Sequence, residues 1–339
     1  MQKASKETLP IDFVIAWVDG NDKNWQKEKA AYSKDKNFDN RESKYRDWDL
    51  LRYWFRGVEK FAPWVNKIHF VTYGHLPNWL DTECPKLDIV NHRDFIPQKY
   101  LPTFSSHTIE LNLHRIAGLS EYFSYFNDDM YIVAPTNPQD FFEKRLPKDR
   151  AVLTINCPKE SWEIQHINNQ DTSLINEEFS FRRSIKNNLE NWFNLKNGKE
   201  NLRNLWLLPC PRFPGLKHEH ANSNLLKSTC EEIWKKSPEI LDRTCQNKFR
   251  THLDVNQWVF KDWQIASGHF VPSSRISTFI DLKYNEKIEE AASVIRNQKA
   301  KILCINDAEN IDEKTFSKMK ETLSNAFEAL LPDKSKFEK

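Results

Sequence analysis

The chain has 339 residues, 39% of them hydrophobic, and a net charge of +2 from 50 basic and 48 acidic residues. Its longest apolar run, 13–18, is far shorter than the ~20 residues of a membrane-spanning helix. Basic and acidic residues are nearly equal in number, whereas a nucleic-acid-binding protein is expected to carry a stripe of basic residues. Six scattered cysteines without a C-x-x-C pair predict free thiols in a reducing compartment.

The predicted elements alternate between strands and helices from the N-terminus onward. Short apolar runs predict strands at 11–18, 67–73, 87–90, 122–126, 130–133 and 151–156. Helical periodicity and stop signals predict helices at 47–61 and 103–117, the second ending at Gly118. This alternation implies crossover connections and a mostly parallel α/β sheet flanked by helices.

The second half of the chain is predicted to complete this domain around a helical insertion. Residues 157–215 are rich in Asn, Glu and Lys and are interpreted as an insertion or lid. Further elements are expected as helices at 224–236, 253–263 and 311–331 and as strands near 268–271 and 300–305. We therefore divide one catalytic domain into a core at 1–156, the insertion at 157–215 and the completing part at 216–339.

Acidic residues follow two of the predicted strands. Asp19-Gly20-Asn21-Asp22 comes after the first strand, and Asp128-Asp129 comes after an aromatic run. Ligands of parallel sheets bind outside the carboxyl ends of the strands, and carboxylate oxygens suit Mg²⁺ or Mn²⁺. An acidic pair alone is also ordinary turn sequence. No G-x-G-x-x-G or P-loop is present, so any bound phosphates would be neutralised by a metal and side chains.

The helix at 103–117 presents one polar face. His107, Glu110 and His114 lie on it at i, i+3 and i+7. Leu111 stands where an H-x-x-E-H motif needs histidine, so a zinc hydrolase is not supported. Glu110 lies beside apolar residues and is the preferred reactive group, and both histidines can equally be structural.

Other candidate groups are arginines and a second pair of histidines. Arg52, Arg115 and Arg250 can neutralise phosphates, although a single arginine is more often a surface ion pair. His218 and His220 follow a proline-rich turn, where a histidine can act as a general base.

Four blocks of the sequence resemble the Stealth family of sugar-phosphate transferases. The first block is 11–22, around Trp17-Val18-Asp19-Gly20. The second runs from Arg46-Asp47 through 101–106 to Asn127-Asp128-Asp129-Met130. The third, looser block covers 217–227 and 249–260, and the fourth is 304–307.

The resemblance implies a Rossmann-like, glycosyltransferase-A-like sheet and a set of site residues. Expected catalytic residues are Glu110, Asp128, Arg250 and a histidine, with His218 slightly preferred over His220. Expected nucleotide-sugar-binding residues are Trp17, Val18, Asp19, Gly20, Asp22, Arg52 and Arg115. Expected ligands of Mg²⁺ or Mn²⁺ are Asp128, Asp129 and Asp307.

The expected reaction transfers hexose-1-phosphate from a UDP-sugar to a hydroxyl of a lipid-linked or growing saccharide and releases UMP. A metal-dependent glycosyltransferase that releases UDP and a non-catalytic glycan-binding protein are the alternatives. No export signal is visible at residues 1–10, so we expect a cytoplasmic enzyme near the inner face of the membrane. The C-terminal helix, with Lys314 and Lys318, is either a peripheral membrane contact or packed on the domain.

Overall fold

The protein is described by a computed structural model that covers residues 9–33, 47–159, 164–282, 287–307 and 311–339. Arg46 of the second sequence block lies outside these residues. The central sheet has five strands in the order β3-β2-β1-β4-β8. These strands are β1 Ile11–Trp17, β2 Ile68–Thr72, β3 Leu87–Asn91, β4 Tyr122–Asn127 and β8 Ser223–Leu226. The first four are parallel and β8 runs antiparallel to β4, so the expected mostly parallel α/β sheet is confirmed.

Two smaller sheets flank the central one. The first has the order β10-β11-β5 and is built from β5 Met130–Ile132, β10 Ser277–Asp281 and β11 Ile302–Asn306. The second has the order β6-β7-β9 and is built from β6 Phe142–Glu143, β7 Leu146–Asp149 and β9 Val271–Pro272. Because β4 and β5 are separated only by Asp128 and Asp129, this acidic turn joins the central sheet to the first flanking sheet.

Helices cover both faces of the central sheet. They are α1 Lys23–Tyr32, α2 Leu51–Phe61, α3 His92–Phe95, α4 Ser106–Asn112, α5 Pro138–Phe141, α6 Ile164–Glu178, α7 Phe181–Asn187, α8 Leu189–Trp192, α9 Glu200–Leu207, α10 Lys227–Lys236, α11 Pro238–Gln246, α12 Trp258–Ser267, α13 Lys287–Arg296 and α14 Glu313–Leu330. Short 3-10 turns lie at Gln98–Tyr100, Leu113–Arg115 and Leu195–Asn197. No helix in these residues is both long and apolar enough to cross a bilayer.

The sheet separates two hydrophobic cores because side chains alternate along each strand. Phe13 and Phe126 face one core, where they meet Trp54 of α2. Val14 and Phe123 face the other core, which contains residues of α4 and α12. Burial on both faces is what a parallel sheet with crossover helices requires.

Three sequence predictions are wrong in detail. Residues 151–156 form only an isolated antiparallel bridge, between Leu153 and Leu216. On the other side of this segment, the side chain of Asn204 bonds Leu153 N at 2.7 Å and Ala151 O at 2.8 Å, so the pairing does not extend into a strand. Residues 224–226 belong to β8, not to the following helix, because they pair with the edge of β4. The helix expected at 103–117 is α4 followed by the 3-10 turn at 113–115.

The inserted helices extend the main body. Helices α6 to α9 lie between β7 and β8 in the chain, and α6 packs against α12. Leu174 and Ile175 of α6 are buried in the second core. The predicted helical character of this region is therefore confirmed for its described residues.

The C-terminal segment packs on α2. Met319, Leu323 and Phe327 of α14 are buried. Beyond α14, Glu338 receives two hydrogen bonds from Arg56, at 2.8 and 3.0 Å. The structure thus gives the apolar face of α14 a packing role in the first core.

Candidate active site

The strand order determines where a ligand can bind. In the order β3-β2-β1-β4, the chain passes from β1 to β2 and β3 on one side of β1 and then returns to β4 on its other side. At such a reversal of strand order, a crevice opens between the carboxyl ends of the two adjacent strands, here β1 and β4. The Trp17 to Asp22 segment leaves β1 at this crevice, and Asp128-Asp129 leaves β4 there. The two acidic segments predicted from the sequence are therefore neighbours.

The turn after β1 is held by local hydrogen bonds. Asp19 N donates to Nε2 of His75 at 2.7 Å, and Asp22 caps α1 by accepting from Trp25 N at 2.7 Å. Trp17 stacks on Phe70 with ring centroids 5.8 Å apart. Val18 and Gly20 lie within the same turn, which presents backbone and carboxylate groups beside an aromatic wall.

The acidic turn after β4 concentrates negative charge. Loss of surrounding solvent and the carboxylates of Asp129 and Asp47 raise the pKa of Asp128 to about 7, while Arg250 opposes the shift. Asp128 still opens to solvent, so carboxylate crowding contributes strongly to this shift. Burial also raises the pKa of Asp129, and His220 and Cys304 oppose that shift. A cation in this turn would relieve the repulsion.

The donor atoms around Asp129 fit a hard divalent cation. Its Oδ1 is buried and has no hydrogen-bond partner among the described residues. Oδ2 lies 3.7 Å from Nε2 of His220 and accepts a hydrogen bond from the Cys304 thiol at 3.4 Å. Burial and Asp129 raise the pKa of Cys304 well above its ordinary value, so the thiol stays protonated. The ligand atoms of Asp129, His220 and Cys304 lie within 4.8 Å of one another, and the carboxylate oxygens of the turn are the donors that suit Mg²⁺ or Mn²⁺.

Asp307 approaches the same turn through β11. The amide of Ile305 donates to the carbonyl oxygen of Asp129 at 2.9 Å, and Asp307 follows two residues later. The antiparallel pair of β5 and β11 thus brings residue 307 to the acidic turn across almost 180 positions of sequence.

Glu110 and Arg250 reach the crevice from the helical side. Glu110 of α4 is buried, and its Oε2 accepts from Gln257 N at 3.4 Å. Arg250 donates to the Ser106 hydroxyl at 2.5 Å. Burial and the charges of Glu110 and Asp128 raise the pKa of Tyr125 well above its ordinary value, and Arg250 opposes them. These three charged groups therefore all act electrostatically on Tyr125, near the carboxyl end of β4.

The two candidate histidines occupy different environments. His218 is buried, lies 3.1 Å from the Asp262 carboxylate and stacks on Trp258 with centroids 4.7 Å apart. His220 is about one-third exposed and lies beside Asp129. The structure therefore places His220 at the acidic turn and His218 against α12.

Asp47 and Asp171 also belong to this region, although neither was singled out from the sequence. Burial and the carboxylates of Asp49 and Asp19 raise the pKa of Asp47, which in turn acts on Asp128. Asp171 is fully buried on α6 near Asp262 and Glu110. Asp47 opens the predicted helix at 47–61, so its position at a helix start was the available signal.

Two predicted arginines are not brought to the acidic turn by their observed contacts. Arg115 stacks over Trp234 at 4.8 Å and bonds Asn112, at the end of α4 opposite to Ser106. Arg52 lies in the first turn of α2, over Trp79 and 3.9 Å from Asp49.

A cavity of about 60 Å³, called the basic cavity below, lies beside the chain segment that carries His220. Its cationic lining residues are Lys148, Arg150, Lys217, Lys261 and Arg275. Each of these cations forms an ion pair with a carboxylate, with Glu143, Glu200, Glu219 or Asp149 as the partner. Glu219 and Ala221, the chain neighbours of His220, both line this cavity.

Comparison with known proteins gives consistent matches over most of the chain. Stealth protein CR1, conserved region 1, matches residues 9–36, and Stealth protein CR2, conserved region 2, matches residues 44–149. The capsular polysaccharide phosphotransferase WcwK of Streptococcus pneumoniae is 44% identical over 97% of this chain and 99% of its own. The receptor polysaccharide phosphotransferase WefC of Streptococcus gordonii is 40% identical over 97% and 98%.

A relative from another genus and a solved structure extend these matches. The exopolysaccharide phosphotransferase cps2G of Lactiplantibacillus plantarum is 36% identical over 97% of this chain and 96% of its own. The galactosyltransferase LgtC, solved with donor and acceptor sugar analogues, covers 93% of this chain and 95% of its own at 12% identity and a TM-score of 0.41.

Proposed function

Since the chain belongs to the Stealth family and is a sugar-phosphate transferase, we propose that it transfers hexose-1-phosphate from a UDP-sugar to a saccharide hydroxyl and releases UMP. The acceptor is a lipid-linked or growing surface polysaccharide, and the reaction takes place at the cytoplasmic face of the membrane. The observation that carries this proposal is the acidic turn at the carboxyl end of β4, where Asp129 has a buried Oδ1 without a hydrogen-bond partner among the described residues and lies 3.7 Å from His220.

The donor is proposed to lie in the crevice between β1 and β4. The turn formed by Trp17, Val18, Asp19 and Gly20 would hold the nucleoside, with the tryptophan as a flat apolar contact. Asp128, Asp129 and Asp307 would hold a divalent cation there, whose chemistry is charge neutralisation on the diphosphate.

The transfer itself requires positioning and charge compensation. The acceptor oxygen forms a bond to the β-phosphorus, and the bond from that phosphorus to the UMP oxygen breaks, with its electron pair leaving on UMP. Glu110 or His220 would take the acceptor proton, and Arg250 would offset the negative charge on the transferring phosphoryl group. The hydrogen bond from Arg250 to Ser106 fixes the guanidinium in direction.

The basic cavity is proposed to receive the acceptor. The chain neighbours of His220, Glu219 and Ala221, line it, so an acceptor that enters this cavity could place a hydroxyl beside His220 and the acidic turn.

The first prediction concerns the leaving nucleotide. Incubation with a panel of UDP-sugars and a saccharide acceptor should yield UMP, measured by chromatography of the nucleotide products. UDP as the product would mean attack at the anomeric carbon and would identify a glycosyltransferase.

Glu110→Gln and Asp128→Asn should each lower kcat by about 10²–10³ while the protein stays folded. Glycan binding without turnover of any nucleotide sugar would indicate a binding protein instead.

A further inference from the structure

Helix α9 buries one asparagine and one leucine, Leu207, and exposes three large apolar residues. Asn204 is fully buried, whereas Leu202 and Trp206 are 71% and 73% exposed. The Asn204 side chain is used internally, bonding the backbone of Ala151, Leu153 and Trp192. A polar residue inside and apolar residues outside indicate that the outer face of α9 serves a purpose other than packing within this chain.

The exposed apolar residues form one continuous feature with the turn that precedes α9. Leu195 is 92% exposed, and Leu205 is also exposed. Asn201 holds the two segments together by donating to Asn194 O at 2.9 Å. Half of the ten large hydrophobic side chains that are exposed in the described parts of the chain fall between 189 and 206. We call Leu195, Leu202, Leu205 and Trp206, together with Lys199 and Arg203, the 195–206 surface.

The charges of this surface are predominantly positive. Lys199 and Arg203 are exposed on α9 or just before it. Glu200 is the only acidic residue in the sequence from 195 to 206, and it binds Lys217 at 2.6 Å and Arg203 at 3.5 Å, so the net charge of this segment stays positive. Leucine and tryptophan flanked by lysine and arginine are the residues of helices that lie in a membrane interface and contact anionic lipids.

The 195–206 surface also lies next to the basic cavity. Lys217, the partner of Glu200, lines the basic cavity beside His220. Arg150, another lining residue, donates to Asn197 O at 3.4 Å. The 195–206 surface therefore adjoins the basic cavity, which is also lined by the chain neighbours of His220.

We propose that the 195–206 surface docks the protein on an anionic lipid bilayer, with Leu202, Leu205 and Trp206 inserted among the headgroups and Lys199 and Arg203 facing the lipid charges. This contact goes beyond the transfer reaction and requires neither donor nor acceptor. It places membrane attachment on α9 and not on α14, whose apolar face is buried.

The test is flotation of the purified full chain with vesicles, without any nucleotide sugar. We expect binding to vesicles of equal parts phosphatidylglycerol and phosphatidylcholine, weaker binding to phosphatidylcholine alone, and release by added salt. The variant L202S/L205S/W206S should lose at least about tenfold in affinity. The variant K199Q/R203Q should also lose about tenfold. All five residues are exposed, so circular dichroism should show unchanged folding.

A matched control separates this surface from the C-terminal helix. Lys314 and Lys318 are exposed on α14, and K314Q/K318Q should bind vesicles as the unmodified chain does. Loss of binding in this control, unchanged binding of the L202S/L205S/W206S variant, or no binding of the unmodified chain would each overturn the proposal. Dimers that need Leu202 and Trp206, without vesicle binding, would identify a second copy of the chain as the occupant.

Discussion

At the scale of single residues, His218 and His220 separate a structural role from a reactive one. His218→Ala removes the stack on Trp258 and leaves the buried Asp262 without its imidazole neighbour. We expect a loss of about 2–4 kcal/mol in unfolding free energy, measured by urea denaturation. His220→Ala should stay within about 0.5 kcal/mol and lower the transfer rate at least about 10²-fold, because His220 is partly exposed beside Asp129.

The two variants serve as controls for each other. A folded but inactive His218→Ala protein, with full activity in His220→Ala, would return the reactive role to His218, the preference drawn from the sequence. Both measurements therefore belong in one experiment, with rates taken below the unfolding midpoint of each variant.

A second residue-scale prediction concerns Asp171 and pH. Burial, Asp262 and Glu110 raise the pKa of Asp171 well above its ordinary value of 3.8. The folded protein then keeps a proton that the unfolded chain releases above pH 3.8, so this group makes stability fall as pH rises. Asp171→Asn should flatten that fall and gain about 1–3 kcal/mol at pH 8 relative to the unmodified chain.

The measurement is the unfolding free energy of both proteins between pH 5 and pH 8. The difference between Asp171→Asn and the unmodified chain should grow steadily with pH. A constant difference would show that Asp171 is ionised in the folded state, with a partner that keeps it so.

The sequence predicted part of the site because its signals are local. Glu110 stood out on a helix face, and Asp128 stood out at a strand end. The proximity of Asp47, His220 and Cys304 to Asp128 depends on pairing between β5 and β11 and on the placement of β8, which no local pattern encodes. Arg115 shared the composition of a phosphate-binding residue, but its position at the far end of α4 depends on the direction of that helix.

At the scale of secondary structure, close packing between α2 and β5 explains why glycine, a weak helix former, occupies position 57 of α2. A Cβ atom at Gly57 would lie 2.5 Å from the carbonyl oxygen of Ile132 in β5. Alanine would gain about 1 kcal/mol of helix propensity, but the clash would cost about 1–3 kcal/mol. We expect Gly57→Ala to lower the thermal midpoint despite the better propensity.

Gly118→Ala is the matched comparison for that variant. Gly118 has φ of 75° and no described heavy atom within 4 Å of an added Cβ, so only backbone strain of about 1 kcal/mol applies there. A rise in midpoint for Gly57→Ala would show that α2 can shift away from β5.

The type of an element, helix or strand, was predicted better than the strand with which it pairs. The apolar runs at β1 and β2 were recognisable because both faces of these strands are buried. Residues 224–226 were assigned to a helix because their strand character comes from pairing with β4, including the bond between Ser124 Oγ and Asn224.

At the scale of the whole molecule, Arg56 joins α2 to the C-terminal segment. Both Arg56 and Glu338 have nearly buried side chains and form a bidentate pair. Arg56→Ala would leave the Glu338 carboxylate buried without a cation, at a cost of about 3–5 kcal/mol in urea denaturation. Arg56→Lys should lose less, because the charge remains.

Lys60→Ala is the control for this pair, since Lys60 is exposed on the same helix and donates to Leu330 O. It should change stability by less than about 0.5 kcal/mol. An equal loss in Lys60→Ala and Arg56→Ala would mean that the general packing of α14, and not the buried pair, holds the segment in place.

The position of β11 beside β5 has a consequence for the time course of folding. The acidic turn and its neighbours on β11 come from chain segments almost 180 residues apart, and contacts of such long sequence separation form slowly. During refolding from urea, helical ellipticity should therefore recover before catalytic turnover does. The recovery of the enzymatic rate then reports when the last long-range strand pairings form. A spectroscopic signal from the helices does not report these pairings.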